Sequence, residues 1–141
     1  MTGSDTLLKP SECAILLVDL QAGLGYGVES MPRQALLNNA VALAKTATAF
    51  GVPVIATTSA SKVYSGPLFP QIQSALPEIK TIERRSMNAW EDDAARGAVQ
   101  ATGRKCLLVA GFLPRPASRS RFFQHSRKGM RSLLWVIRAV D

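Results

Sequence analysis

Apolar residues along this chain fall into short continuous runs, separated by stretches of helical spacing. Ala14 to Val18 (AILLV) is apolar throughout and stops at Asp19, Gln21 and Gly23. A run of this kind fits a parallel strand buried on both faces. Leu36, Leu37, Ala40, Val41, Leu43, Ala44, Ala47 and Phe50 then recur near helical spacing, which predicts a helix over 32–50. Gly51 caps that helix and Pro53 prevents its continuation. Val52 to Thr57 (VPVIAT) reads as a second strand and the Ser/Gly-rich 59–67 as a loop. Pro70 to Leu76 reads as a short helix, and Lys80 to Glu83 as a short third strand.

Asn88 offers a side-chain cap to the next helix, with Glu91 three residues on, close to a capping-box pattern. Asp92 and Asp93 fall in its first turn, where the helix dipole favours acids. The helix is predicted to reach about Thr102 and to stop at Gly103. Cys106 to Ala110 (CLLVA) is a fourth buried strand, ending at Gly111. Strands alternating with helices imply an α/β fold with a parallel sheet and right-handed crossovers.

From Phe112 the texture changes. LPRPASRSRFFQHSRKG has no clear helical or strand period, and only Ser132 to Val140 (SLLWVIRAV) is again strand-like. The charge changes at the same place. Residues 1–111 hold ten Lys/Arg and nine Asp/Glu, while residues 112–141 hold seven Lys/Arg and one Asp. The tail therefore supplies +6 of the net +7, and the basic character is not a property of the α/β part.

The 141 residues suit one domain, and 47% hydrophobic content supplies a core. A charged fraction of 19% does not suggest disorder. No apolar run approaches the roughly 18 residues needed to span a bilayer, so no membrane partner is expected. The opening MTGSDTLLKPSEC has neither a basic n-region nor a long apolar h-region, so no signal peptide is read there. Cys13 and Cys106 form no disulfide framework or metal-ligand spacing. Both read as buried, reduced thiols of a cytoplasmic protein.

Ligands of open α/β sheets bind at the carboxyl ends of strands. Three places qualify: Asp19 after the first strand, Arg84 after the third, and the segment after Gly111. Asp19 is a candidate general base, or else a turn residue. Arg84 can hold an anion or a carbonyl oxygen, or else a surface carboxylate. Gln21 can orient a ligand or close a turn, and Trp90 can stack on a ligand or fill the core. Asn88 is most simply a helix cap. His125 lies in the tail with no acid or second ligand at a telling spacing.

Taken together, AILLVDLQAGL (14–24), FGVPVIATTS (50–59), SGPLFPQIQSALP (65–77), IERRSMNAWED (82–92) and ATGRKCLLVAG (101–111) resemble the isochorismatase-like cysteine hydrolases, most closely the YcaC-like subgroup. VDxQAG, the VPVI strand and R–SMNAW in one chain are specific. The resemblance implies a three-layer α/β/α, Rossmann-like fold and hydrolysis of small amides or vinyl ethers, with no cofactor. It implies that Asp19 takes the proton of a cysteine thiol, that Arg84 is the basic member of the triad, and that the thiolate forms an acyl-enzyme. Backbone N–H groups near the cysteine would hold the oxyanion. Gln21, Asn88 and Trp90 would line the substrate pocket. Metal-binding members carry histidines after the second strand. Residues 57–66 contain none, so no metal is expected.

The third triad member is missing. The subgroup places its nucleophile six residues after the strand-ending AG, and that position here is Ala117. Cys106 begins its strand and so falls at the sheet end away from the expected site. Moving the reading frame by one nucleotide after Gly111 lets suitable codons spell TEACVALPVLSAFAEGYEVFVVGD, the kind of segment this family shows after its AG. A coherent match over that length points to a frameshift near residue 112. It accounts for the tail's charge, its lost periodicity and the short chain. The expected organisation is an incomplete hydrolase domain over 1–111, truncated after the fourth strand, and a basic, non-family tail over 112–141. The family's homo-oligomers involve the replaced region and are not expected to carry over.

Two other readings stay open. The α/β part could be a non-catalytic module that binds a small acid or amide at Asp19 and Arg84. Alternatively, Arg115, Arg119, Arg121, Arg127, Lys128 and Arg131 could bind nucleic acid, with Phe122 and Phe123 stacking on bases. The frameshift reading disfavours a nucleic-acid partner.

Overall fold

Among the described residues, five parallel strands form a sheet in the order β3-β2-β1-β4-β5. They are β1 (Cys13–Val18), β2 (Val54–Thr58), β3 (Lys80–Glu83), β4 (Cys106–Gly111) and β5 (Arg131–Leu134). The computed structural model describes residues 7–25, 32–86, 89–111 and the backbone of 131–134, while the Trp90 side chain lies outside that description. The described residues also form four α-helices: α1 (Ala22–Gly25) and α2 (Arg33–Phe50) between β1 and β2, α3 (Pro70–Ala75) between β2 and β3, and α4 (Asp93–Ala101) between β3 and β4.

Strand β1 is central. It pairs with β2 on one side, Ile15 opposite Val54, and with β4 on the other, Cys13 opposite Cys106 and Val18 opposite Gly111. All six of its residues are buried. Its alternate residues feed two separate cores. Ala14, Leu16 and Val18 meet Ala98 and Val99 of α4 together with Leu107 and Val109. Ile15 and Leu17 meet Leu36, Ala40 and Ala47 of α2, Ile72 of α3, and Ala110. This makes the expected three layers. The chain steps outward from β1 through β2 to β3, then returns to the other side of β1 as β4. A right-handed crossover on the reversed path puts α4 on the opposite face from α2 and α3.

The apolar pattern places most elements closely. Helix α2 ends on Gly51 in the left-handed conformation (φ 66°), and Val52 N–H returns to the Ala47 carbonyl. This is the cap that the glycine implies. The fourth helix differs from its expected start. A separate 3-10 turn occupies Ala89–Glu91, and α4 begins at Asp93. Its cap is Asp92, whose carboxylate accepts from the N–H groups of Ala94 and Ala95. Asn88, the residue expected to cap this helix, lies outside the described residues. Strand β5 adds a fifth, parallel to β4 with Leu133 opposite Leu108. It overlaps the strand-like run 132–140 of the sequence.

Gly111 closes β4 with a φ of 146°. A Cβ there would stand 2.7 Å from the Val18 carbonyl carbon and 2.8 Å from the Val18 nitrogen. Both are backbone atoms of the central strand and cannot yield without breaking its register. Gly51 has the same left-handed freedom but open space around it. Gly111→Ala is therefore expected to cost about 3 kcal/mol or more, and Gly51→Ala only about 1 kcal/mol. Urea unfolding of the two variants checks the difference, and equal costs would contradict this packing.

Candidate active site

The reversal of strand order falls between β1 and β4, so the crevice beyond their carboxyl ends is the natural binding place of this sheet. Asp19 follows β1 into it. Its backbone is left-handed (φ 56°), a conformation that Asp tolerates better than most residues. The turn is pinned by Asp19 N–H to the Thr57 carbonyl at 3.0 Å and by Gln21 N–H to the Asp19 carbonyl at 2.7 Å.

Arg84 follows β3, two strands away. Its N–H donates to the Thr58 carbonyl at 2.7 Å, which fixes its backbone against the end of β2. From there the long side chain crosses β2, and its Nη2 donates to Asp19 Oδ2 in a buried ion pair. Its Nη1 donates to the Ser86 carbonyl at 3.0 Å. The guanidinium side chain is only 2% exposed and the carboxylate 15%. The other carboxylate oxygen, Asp19 Oδ1, is buried with no hydrogen-bond partner among the described residues. Burial pushes the Asp19 carboxyl above the ordinary aspartate range, against the opposing pull of Arg84. A buried carboxylate with one oxygen held and one open, and with a raised pKa, has the properties of a proton acceptor.

Gln21 ties the turn after β1 to the 59–66 loop. It is fully buried. Its Oε1 accepts from Ser59 N–H at 2.9 Å, while its Nε2 donates to the carbonyls of Ser59 at 3.0 Å and Gly66 at 2.7 Å. Both ends of the amide are thus used to hold the 59–66 loop. Gly23 N–H to Ser65 carbonyl and Ala22 N–H to Pro67 carbonyl extend the clamp. On the outer side, Glu83 accepts from Thr58 Oγ1 at 2.6 Å and from Ser61 N–H at 2.9 Å. Glu83 went unnoticed in the sequence, although an acid immediately before the strand-end arginine was the available signal. Ser65 is another such residue, with a fully buried hydroxyl that has no partner among the described residues.

The remaining site candidates divide simply. Trp90 lies in the 3-10 turn, with its side chain outside the described residues, and Asn88, Ala117 and His125 lie outside them entirely. Cys106 is the first residue of β4, in register with the first residue of β1 and therefore at the opposite end of the sheet from Asp19. It cannot reach the site.

Residues 13–113 match the isochorismatase domain. The chain belongs to the isochorismatase family. It is 38% identical over 112 residues to the probable hydrolase YcaC of Escherichia coli, covering 79% of this chain and 54% of that protein. The chain thus spans about half the length of this curated relative. The crystal structure of the E. coli YcaC gene product, an octameric hydrolase of unknown specificity, superposes with a TM-score of 0.78 at 32% identity, over 94% of this chain and 66% of that one. YcaC from Pseudomonas aeruginosa, determined with hexane-2,5-diol and covalent acrylamide, gives 0.75 at 28% identity, over 95% and 81%. An isochorismatase from Pseudomonas putida shares the fold, with a TM-score of 0.69 at 21% identity, over 90% and 70%. Among the described residues no helix is long and apolar enough to cross a membrane.

Two predictions follow from this geometry. Asp19→Ala leaves the Arg84 guanidinium buried without its counter-charge, and is expected to cost about 3–5 kcal/mol in urea unfolding. Asp19→Asn keeps an acceptor oxygen and should cost less. The second concerns acid. The hydrogen bonds from Thr58 and Ser61 hold the Glu83 carboxyl below the ordinary glutamate range. A depressed pKa gives stability that is present above the unfolded value and lost as pH falls through the folded one. The Asp19 carboxyl has the opposite sign, since its raised pKa makes ionisation unfavourable to the fold as pH rises. The Glu83 clamp should therefore begin to weaken as pH enters the ordinary glutamate range and release only below it. The wild-type urea midpoint should then fall more steeply with acid than that of Glu83→Gln.

Proposed function

We propose that this chain descends from a cysteine hydrolase of small amides and, as written, no longer completes the reaction. The observation that carries this reading is the buried Asp19–Arg84 pair with its open Oδ1, set beside the end of β4 where the family's nucleophile segment begins. In the working enzyme Asp19 would take the thiol proton and Arg84 would hold the carboxylate in place. The thiolate would attack the amide carbonyl, and the amine would leave with a proton. Here the nucleophile's position is Ala117, and a methyl group can supply no electron pair. The covalent acrylamide of the P. aeruginosa relative supports a reactive nucleophile and a small amide-sized ligand for that lineage.

The domain boundary proposed at residues 111 and 112 and the frameshift near it belong to this reading. So does the absence of a metal or cofactor from the chemistry. Residues 1–111 retain the pair, so binding of a small acid or amide without turnover is the activity left to the chain.

The test begins with the gene. The nucleotide sequence across the codons for Gly111 to Asp141 is expected to yield the TEACV-like frame after a one-base correction. The chain as written should show no turnover of small amides, and the corrected chain should hydrolyse them. In the corrected chain, Asp19→Asn should lower kcat by about a hundredfold or more. Turnover by the uncorrected chain, or absence of a cysteine from every frame, would overturn the proposal.

A further inference from the structure

Cys13 and Cys106 lie 93 positions apart in sequence, but the sheet makes them direct neighbours. Each is the first residue of its strand, and they are partners in the parallel register of β1 and β4. Adjacent strands lie ~4.8 Å apart, within the ~4.4–6.8 Å Cα separation that disulfides span. In-register residues of parallel strands project to the same face, here the face of Ile15, Leu17 and Ala110 under α2 and α3. The residues just before the pair are also tied together. Lys105 N–H donates to the Glu12 carbonyl at 3.0 Å, and the Arg104 side chain donates to the Ser11 carbonyl. Both cysteines are buried, Cys13 at 2% exposure and Cys106 at 7%. They sit at the amino end of the sheet, and nothing in the Asp19–Arg84 site uses them.

We propose that Cys13 and Cys106 are a cross-strand dithiol that closes reversibly to a disulfide when the chain meets a small-molecule disulfide. Cys106, the more exposed of the two, attacks first. Its thiolate displaces one thiolate from the oxidant and forms a mixed disulfide. The Cys13 thiolate then attacks Cys106 Sγ and expels the second thiolate. The two cysteine protons go to the two released thiolates, so one small disulfide becomes two thiols as the pair is oxidised. In-register Cβ atoms stand farther apart than the ~3.8 Å of a relaxed bridge. Closing the bridge therefore requires the two strand starts, already tied by the Lys105 and Arg104 hydrogen bonds, to draw closer.

The experiment equilibrates the full chain in buffers of reduced and oxidised glutathione, approached from both directions. Acid-quenched thiols are alkylated and the peptides read by mass spectrometry. The expected result is a Cys13–Cys106 linked peptide, formed in native buffer at about tenfold or more lower oxidant ratio than in urea, because the fold raises the effective concentration of one thiol at the other. Cys13→Ala should stop at a Cys106–glutathione adduct, and dithiothreitol should restore both thiols in the wild type. A native chain that oxidises no more readily than the urea-unfolded chain would overturn the proposal. So would a native chain that stops at the mixed disulfide. Neither readout depends on Asp19, Arg84 or turnover, so the proposal stands or falls apart from the hydrolase reading.

Discussion

Strand β1 has hydrogen-bonded neighbours on both edges and a packed layer on both faces, and this double confinement governs the rest of the molecule. A strand enclosed in this way cannot slip by one residue without exchanging its two cores. Its register therefore fixes what stands at each end. At the amino end that is Cys13 against Cys106, and at the carboxyl end it is Val18 against Gly111 with Asp19 beyond. The chemistry of the chain is distributed by this single constraint, with a carboxylate at one pole and two thiols at the other.

The site gains its character from how far the sheet makes Arg84 reach. Because β2 intervenes, the guanidinium must extend across a strand end to meet Asp19, and it arrives buried. Removing two opposite charges from water is costly, and the attraction between them offsets the cost only in part. The carboxyl records the imbalance as a raised pKa. The same burial that makes the pair expensive for stability makes Asp19 a better base than an exposed aspartate. Around it, Gln21 and Glu83 direct their hydrogen bonds to the backbone of the 59–66 loop and to Thr58. The loop beside the site is thus braced.

The match to the isochorismatase domain spans residues 13–113, so both members of the buried Asp19–Arg84 pair fall inside it. The proposed loss of activity rests on a different part of the chain, since Ala117 lies beyond that range.

Much of this was legible in the sequence, for a definite reason. Continuous apolar runs between helical periods specify buried parallel strands, and AILLV and CLLVA can hardly be anything else. Gly51, Pro53 and Gly111 punctuate the chain through their backbone restrictions alone, and VDLQ and IERR mark the strand ends that carry Asp19 and Arg84. Local pattern failed where the outcome depends on which partner arrives. Asp92 rather than Asn88 caps α4, because a 3-10 turn intervenes and a carboxylate meets the open amides. Gln21 holds a loop, because residues 59–66 come to lie against it. Most clearly, no spacing rule connects Cys13 with Cys106. Only the reversal of strand order, which brings β4 back beside β1, makes two distant cysteines neighbours. The sequence by itself determined the elements, the family and the two ends of the ion pair, because these follow from short-range periodicity and residue type. The tertiary structure alone decided the pairing of distant groups, because contact across a sheet depends on strand order and register, which no local window contains.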